Sequence, residues 1–466
     1  MKRLKPLLLI LILMVAANQS HARVTTLSGG VTTSYNVYDR EYANDVDDAG
    51  LPTDDDGDDY SRIVVSPSIS IVSEGIKDTV DFSYTPSLPV IDLDNNDSDN
   101  DIGHHLTLGY NRALTNRWNI TLSNAFVYTD DHQSQAPLID SETGQITSTQ
   151  PGENAVTGDR LSDVSSRRSR TTNTFRIGTT YTYQEASNVA VHYAWTLLRN
   201  DDDVSGSTNQ DYDRHAFDAS VNHRFNQKWS ITGSLGYTIG LFDDSGSTSD
   251  DVDEFRANIG AHYNLNRQHT LTTIYNYSGT DYEAAARRDR EIHDITLGWQ
   301  WSISPRLNFS IGGGPTYSKT DGEEGTWDSN GNLVLNYQLQ RGSLSLSASG
   351  GQHVQNYTGT NERRSSEFWQ IQARCNYSLF ERVSLTGYAT YDNSDAEEAG
   401  SMAGSTITVN TKRYGGGLGL SYMFHPDWSA TLSYDYTKQE SDDAGDEYDD
   451  HAVTVGLSYK ADFLRW

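Results

Sequence analysis

Asp97, Asp99 and Asp101 stand at alternate positions, the oxygen spacing that opens a calcium loop. The glycine such a loop needs comes one residue late, at Gly103, and no bidentate Glu follows. The run Asp54-Asp55-Asp56-Gly57-Asp58-Asp59 is suggestive in the same way. These residues predict weak Ca2+ or Mg2+ binding at acidic loops and no resident cofactor. A second group is basic: Arg160, Arg167, Arg168 and Arg170 lie in one long connection, 130–170. Guanidiniums grip carboxylates or anionic solutes bidentately. If that connection folds inward, the cluster narrows a channel; if it stays on the surface, it pairs with neighbouring acidic loops. Catalytic chemistry has no comparable signal. There is no G-x-S-x-G and no Gly-rich phosphate loop between a strand and a helix. A hydrolase is therefore the weakest reading, and no enzyme is expected.

A third set is scattered singly along the chain: Arg176, Arg214, Asp218, Arg224, Glu254, Arg256, His262, Asp294, Arg374, Arg413 and Asp435. Each sits among Ser, Thr, Asn and Gly, at alternate positions from apolar neighbours. Burying so many polar groups in a dry core costs several kcal/mol for each one left unsatisfied. A water-filled interior removes that cost. These residues are the expected lining of an aqueous lumen, with cations and anions near balance.

The elements that position them have a period of two. Val189, Val191, Tyr193, Trp195 and Leu197 form one face of a strand, and Trp428, Ala430, Leu432, Tyr434 and Tyr436 another. About twenty such runs follow one another from 30–40 to 451–463, among them 331–340, 343–352, 383–392 and 411–423. A misreading of 343–352 lowers the count to 18. The pattern predicts an all-β, antiparallel, up-and-down transmembrane barrel of about 20 strands. A barrel that wide holds an aqueous channel, and the few residues ahead of the first run supply no plug.

The connections sort into two kinds. Short ones, such as Leu114-Thr115-Asn116-Arg117-Trp118 and Phe225-Asn226-Gln227-Lys228-Trp229, read as periplasmic turns. Long ones, 41–60, 89–103, 130–170, 199–212, 243–252, 280–291, 318–330, 353–365, 393–410 and 438–450, read as acidic extracellular loops. Glu41 to Asp59 alone carries nine carboxylates. A ring of such loops attracts cations and slows anions, or it simply keeps the loops solvated. Aromatics mark the two ends of the apolar band: Trp118, Trp229 and Trp428 at the turn end, Tyr128, Tyr277, Tyr317, Tyr391 and Tyr436 at the loop end.

The formal charge of −29 disfavours nucleic acid as a partner. A mean hydropathy of −0.64 fits a barrel, in which only every second strand residue meets lipid. Cys375 is the single cysteine and has lipid-facing parity. Lys2, Arg3 and Lys5, the apolar stretch Leu7 to Ala17 and Ser20-His21-Ala22 have the form of a cleaved signal peptide. The expected organisation is a signal peptide, 1–22, and one barrel domain, 23–466. Near the end, the last aromatic of the strand is either Phe463, with Leu464 to Trp466 as a short tail, or Trp466 after a bulge; the first is the preferred reading.

Ser66-Pro67-Ser68-Ile69, the turn at Glu74-Gly75 and Phe82-Ser83-Tyr84-Thr85-Pro86-Ser87-Leu88 resemble the early hairpin of the β-barrel porin family of Gram-negative outer membranes. The resemblance implies an outer-membrane location and, for many members, a link to exopolysaccharide export with periplasmic partners. It carries over no functional residue. Two main expectations remain. One is a passive or semi-selective channel for small solutes or polysaccharide. The other is a structural or adhesive surface protein whose acidic loops bind divalent cations, lipopolysaccharide or other partners.

Overall fold

The computed structural model describes residues 23–42, 60–92, 102–129, 170–200, 210–243, 250–284, 287–357, 364–399, 406–442 and 447–466. They form twenty strands. The first five are β1 (Val24–Tyr42), β2 (Tyr60–Glu74), β3 (Asp78–Asp92), β4 (Gly103–Thr115) and β5 (Trp118–Thr129). Next come β6 (Arg170–Gln184), β7 (Ser187–Asn200), β8 (Tyr212–Arg224), β9 (Trp229–Phe242) and β10 (Val252–Asn264). They are followed by β11 (His269–Tyr282), β12 (Arg290–Ser304), β13 (Leu307–Thr320), β14 (Thr326–Leu339) and β15 (Gly342–Gln355). The last are β16 (Arg364–Phe380), β17 (Val383–Ala399), β18 (Thr406–His425), β19 (Trp428–Ser441) and β20 (Tyr448–Arg465). Each pairs antiparallel with its neighbour in sequence, and β20 pairs with β1. The sheet closes on itself as an up-and-down barrel.

β9 shows why these residues make this wall. Trp229, Leu235, Tyr237 and Leu241 lie on one face and are exposed, Leu235 by 57 %. Ser230, Thr232, Ser234 and Thr238 lie on the other. An exposed apolar face and a polar inner face are stable together only when hydrocarbon is outside and water inside. Short turns join the strands at one end. Asn226 Oδ1 accepts from the backbone N–H of Lys228 (2.8 Å) and Trp229 (3.0 Å), and Asn266 does the same for Gln268 and His269. The side chain thus closes the reversal that the backbone cannot close alone.

The seam between β1 and β20 is fixed at both ends. At the turn end Thr25 and Trp466 exchange backbone hydrogen bonds of 2.8 and 3.0 Å. At the loop end Arg40 holds Asp450 bidentately, Nε to Oδ1 at 2.6 Å and Nη2 to Oδ2 at 2.7 Å, beneath the Tyr448 ring. The strand therefore does not stop at Phe463, as the alternation suggested. Phe463 is the extra residue of a bulge: Asp462 pairs with Ser28, and Leu464 with Leu27. Its ring lies where a side chain on Gly29 would be. Beyond the bulge the parity shifts, and Leu464 and Trp466 are exposed on the outer side.

Several strands run further than their apolar patterns. β13 and β14 fill most of the expected loop 318–330, leaving a turn in which Gly322 has φ of 79°. β17 and β18 extend into 393–410, where Asp395 pairs with Asn410. β1 starts at Val24 rather than near 30. The alternation reports where hydrocarbon lies. The ladder continues past it, where outward side chains meet water.

Two variants test the faces. Leu235→Arg puts a charge into hydrocarbon and is expected to cost about 2–4 kcal/mol in urea unfolding from lipid vesicles. Ser234→Arg, one residue away on the inner face, is expected to cost less than about 1 kcal/mol. The seam has its own test. Removing one partner of a well-ordered ion pair costs about 3 kcal/mol, so Arg40→Met is expected to destabilise on that scale. The double variant Arg40→Met/Asp450→Leu is expected to recover part of the loss.

Candidate functional site

From β6 to β12 the odd-numbered side chains face out, with Ile177, Val191, Phe217, Leu235, Ile259, Tyr275 and Ile295 all exposed. The even-numbered ones face in. One hydrogen-bonded row crosses the inner wall as Arg176, Ala194, Ala216, Thr238, Glu254, Thr280 and Arg290. A second row carries His192, Asp218, Gly236 and Arg256. Gly236 has no side chain because the Asp218 carboxylate needs the space: its Oδ1 lies 2.9 Å from where a Cβ would be. The Arg256 side chain is 38 % exposed although it faces inward. The interior is accessible to solvent.

The predicted lining residues share this inner face and are tied down individually. Asp294 accepts from Thr316 Oγ1 (2.5 Å) and Asn330 Nδ2 (3.4 Å). His262 Nε2 is 3.2 Å from Thr232 Oγ1. Arg413 donates Nε to Gln439 Oε1 (3.1 Å), and Asp435 accepts from Tyr388 OH (2.7 Å). Arg374 lies opposite Ser345 and Tyr388. Arg224 is different: its Nε bonds the Asn226 carbonyl (3.2 Å), so it braces a turn at the rim instead of lining the passage. Arg170 is not a loop residue. It opens β6, opposite Thr129 and Asn200, and is buried. Arg160, Arg167, Arg168, Asp97, Asp99 and Asp101 lie outside the described residues. Among the described residues no group of three or more His, Cys, Asp or Glu converges on a metal position.

The two described residues that follow β15 turn inward from the wall. Asn356 and Tyr357 are buried against strands four to seven places away round the wall. Asn356 Nδ2 donates to Glu254 Oε1 at 2.7 Å, and its Oδ1 accepts from Tyr282 OH at 2.8 Å. The Tyr357 ring stacks on Phe242 (5.7 Å between centroids) and meets Tyr212 edge-on. The Arg214 guanidinium carbon sits 4.3 Å from its centroid on another side. Leu198 and Val252 complete this apolar cluster at the loop-side rim. Asn356 and Tyr357 thus reach from β15 to β8–β11 on the inner side of the loop-side rim, against Glu254 and Arg214.

The sequence carries a faint signal for this. Of the long connections, 353–365 is nearly free of carboxylates, holding one Glu and no Asp. A loop that docks inside a barrel has no use for a run of mutually repelling acids.

Residues 303–460 match the family model described as outer membrane protein beta-barrel domain, about a third of the chain. Among solved structures, the chain is similar to the FrpB iron transporter from Neisseria meningitidis. The identity is 8 % and the TM-score 0.53, over 93 % of this chain and 81 % of that one. It is also similar to the ferric enterobactin receptor PfeA in complex with BCV-L6, at 9 % identity and TM-score 0.52, over 95 % of this chain and 82 % of that one. At such identity the likeness is one of fold. No curated protein matches the sequence. The family match and the closed twenty-strand wall define an integral β-barrel protein of the bacterial outer membrane.

Tyr357→Ala tests the crossing segment. A buried aromatic contributes about 3–5 kcal/mol to a packed site, enough to hold or release a short docked segment. The variant is expected to lose amide-exchange protection around Val354 to Tyr357 and to keep it in β9 and β10.

Proposed function

We propose that this protein is a passive or semi-selective channel of the outer membrane, not an enzyme. It passes small solutes through a wet lumen narrowed by the Asn356–Tyr357 crossing. One observation carries the reading: the inner wall is largely polar and solvent-accessible, and the apolar cluster of Leu198, Tyr212, Phe242, Val252 and Tyr357 lies at the rim where the crossing docks. Residues 1–22 act as the export signal and are removed. The acidic loops gather cations, Ca2+ and Mg2+ included, at the outer mouth. The polymer-conduit reading rests on the resemblance of Ser66 to Leu88 and fits the same lumen, with periplasmic export partners supplying the polymer.

Planar-bilayer recording tests the channel. A stable open conductance is expected, with a reversal potential showing cation preference at low salt that weakens as salt rises and screens the loops. Tyr357→Ala is expected to raise the single-channel conductance. A silent bilayer favours a surface-binding role, and an anion preference overturns the charge argument. Flux of neutral oligosaccharides into vesicles separates a polymer conduit from a small-solute pore.

A further inference from the structure

The short turns reverse the charge balance of the chain. Over the whole sequence Asp and Glu outnumber Lys and Arg by 64 to 35. In the nine turns, from 75–77 to 426–427, the acids are three, Glu185, Glu381 and Asp427, and the cations are seven. Six of the seven hold one structural position, the residue just before a strand: Lys77, Arg117, Lys228, Arg306, Arg341 and Arg382. In each, the backbone carbonyl accepts from the next hairpin at 2.7 or 2.8 Å, from the N–H of Ala113, Thr182, Asn264, Gln338, Ser378 and Met423 in turn. The ladder therefore runs through these residues and fixes their place. Gln268 and Asp427 hold the same position in two other turns, and Arg267, the seventh cation, precedes Gln268.

Alternation sets their facing. The residues that follow them, such as Trp118, Trp229, Leu307 and Val383, have outer-face parity, and both tryptophans are exposed. The six cations therefore have the parity of the lumen. All seven are exposed, and among the described residues none is in an ion pair. Arg341 Nη1 and Arg382 Nη1 each donate to a backbone carbonyl of the next hairpin, of Leu379 and Phe424, at 3.4 Å. Such contacts leave the charge uncancelled. Just inside the rim, Arg224, Lys460 and Arg465 share the inner parity, against Glu74 and Asp462. Successive turns are two strands apart, about 10 Å at the ~4.8 Å spacing of paired strands. The Debye length is also about 10 Å at 0.1 M salt, so the neighbouring fields merge into a ring.

We infer that the turn-side rim is an anion-collecting mouth, opposite in sign to the loop-side mouth, and that it binds soluble polyvalent anions. Parity decides for soluble anions over anionic lipid: aromatics take the outer positions that meet the bilayer, and the cations take the alternate ones at the opening. A consequence rests on the channel reading. With the loop side positive, cations enter through the acidic mouth and anions through the basic one, so both fill the lumen. With the polarity reversed, each ion meets the mouth that repels it. The pore therefore conducts asymmetrically.

The test uses the full-length protein in a planar bilayer. Glu324→Cys carrying biotin, in a Cys375→Ser background, reports orientation, because streptavidin reaches it from the loop side. Current is compared at about 0.01 M KCl, where the Debye length is about 30 Å, and at about 1 M, where it is about 3 Å. At low salt the current is expected to be at least roughly twofold larger with the loop side positive, and symmetric at high salt. Lys77→Gln/Arg117→Gln/Lys228→Gln/Arg306→Gln/Arg341→Gln/Arg382→Gln is expected to abolish the asymmetry and move the reversal potential further towards cation preference. Heat-modifiable gel mobility checks that its barrel is closed. If that variant does not fold, Lys228→Gln/Arg306→Gln/Arg341→Gln is expected to lose part of the asymmetry. A symmetric low-salt current in wild type, or an unchanged asymmetry in the variants, overturns the proposal. A silent bilayer defeats the channel reading instead. Equilibrium dialysis of inositol hexakisphosphate against the detergent-solubilised protein then decides the ring: wild type is expected to bind at least roughly tenfold tighter than the sextuple variant, and equal binding overturns the proposal.

Discussion

Hydrocarbon offers no partner to a backbone N–H or C=O, so a sheet that crosses it must have no edge. That constraint organises the whole molecule. It explains why β20 returns to β1 along nearly its full length and why the seam is fastened at both ends. It also explains the period of two, because a closed sheet between lipid and water has one apolar and one polar face at every strand. The polar interior is a consequence of closure.

Closure leaves a passage, and the protein then modifies it locally. The lumen carries both signs of charge in fixed places, Arg176 with Glu254 and Arg290 in one row, Asp218 with Arg256 in the next. The excess negative charge of the chain resides mainly in the long connections. Two features stand out: the net charge of the long connections, and Asn356 with Tyr357 packed against β8 to β11. The crossing is held by packing and hydrogen bonds to the opposite wall, so its position depends on few residues. The turn-side rim is differentiated as well, with cations at one equivalent position in six turns.

The barrel was legible because lipid and water select side chains so sharply. Strand existence, order and facing follow from residues such as Leu235 against Ser234. Strand ends were less legible, as β17 and β18 show: above the bilayer the outward residues turn polar while the ladder goes on. The bulge at Phe463 was one of two endings a period-two reading allowed and not the preferred one, because a bulge is the place where that period breaks. The site was legible as a face and not as a constellation. Alternation put Asp294 and Arg413 inside, but it could not tell that Arg224 braces a turn or that Arg170 begins a strand. The longest loop and its arginines carry the stronger sequence signal, whereas docking depends on a Tyr and an Asn without neighbouring acids. The turn cations lie far apart in sequence, and only the topology brings them to one rim.

The most direct test of the central claim is thiol accessibility along β9. Single cysteines placed in turn from Ser230 to Ile239, in a Cys375→Ser background, are treated in intact outer membranes with a charged, water-soluble thiol reagent. The account predicts labelling at the even positions, such as Thr232 and Ser234, and protection at the odd ones, such as Ile231 and Leu235. Uniform labelling, or labelling of the odd positions alone, would contradict a water-filled barrel bounded by lipid.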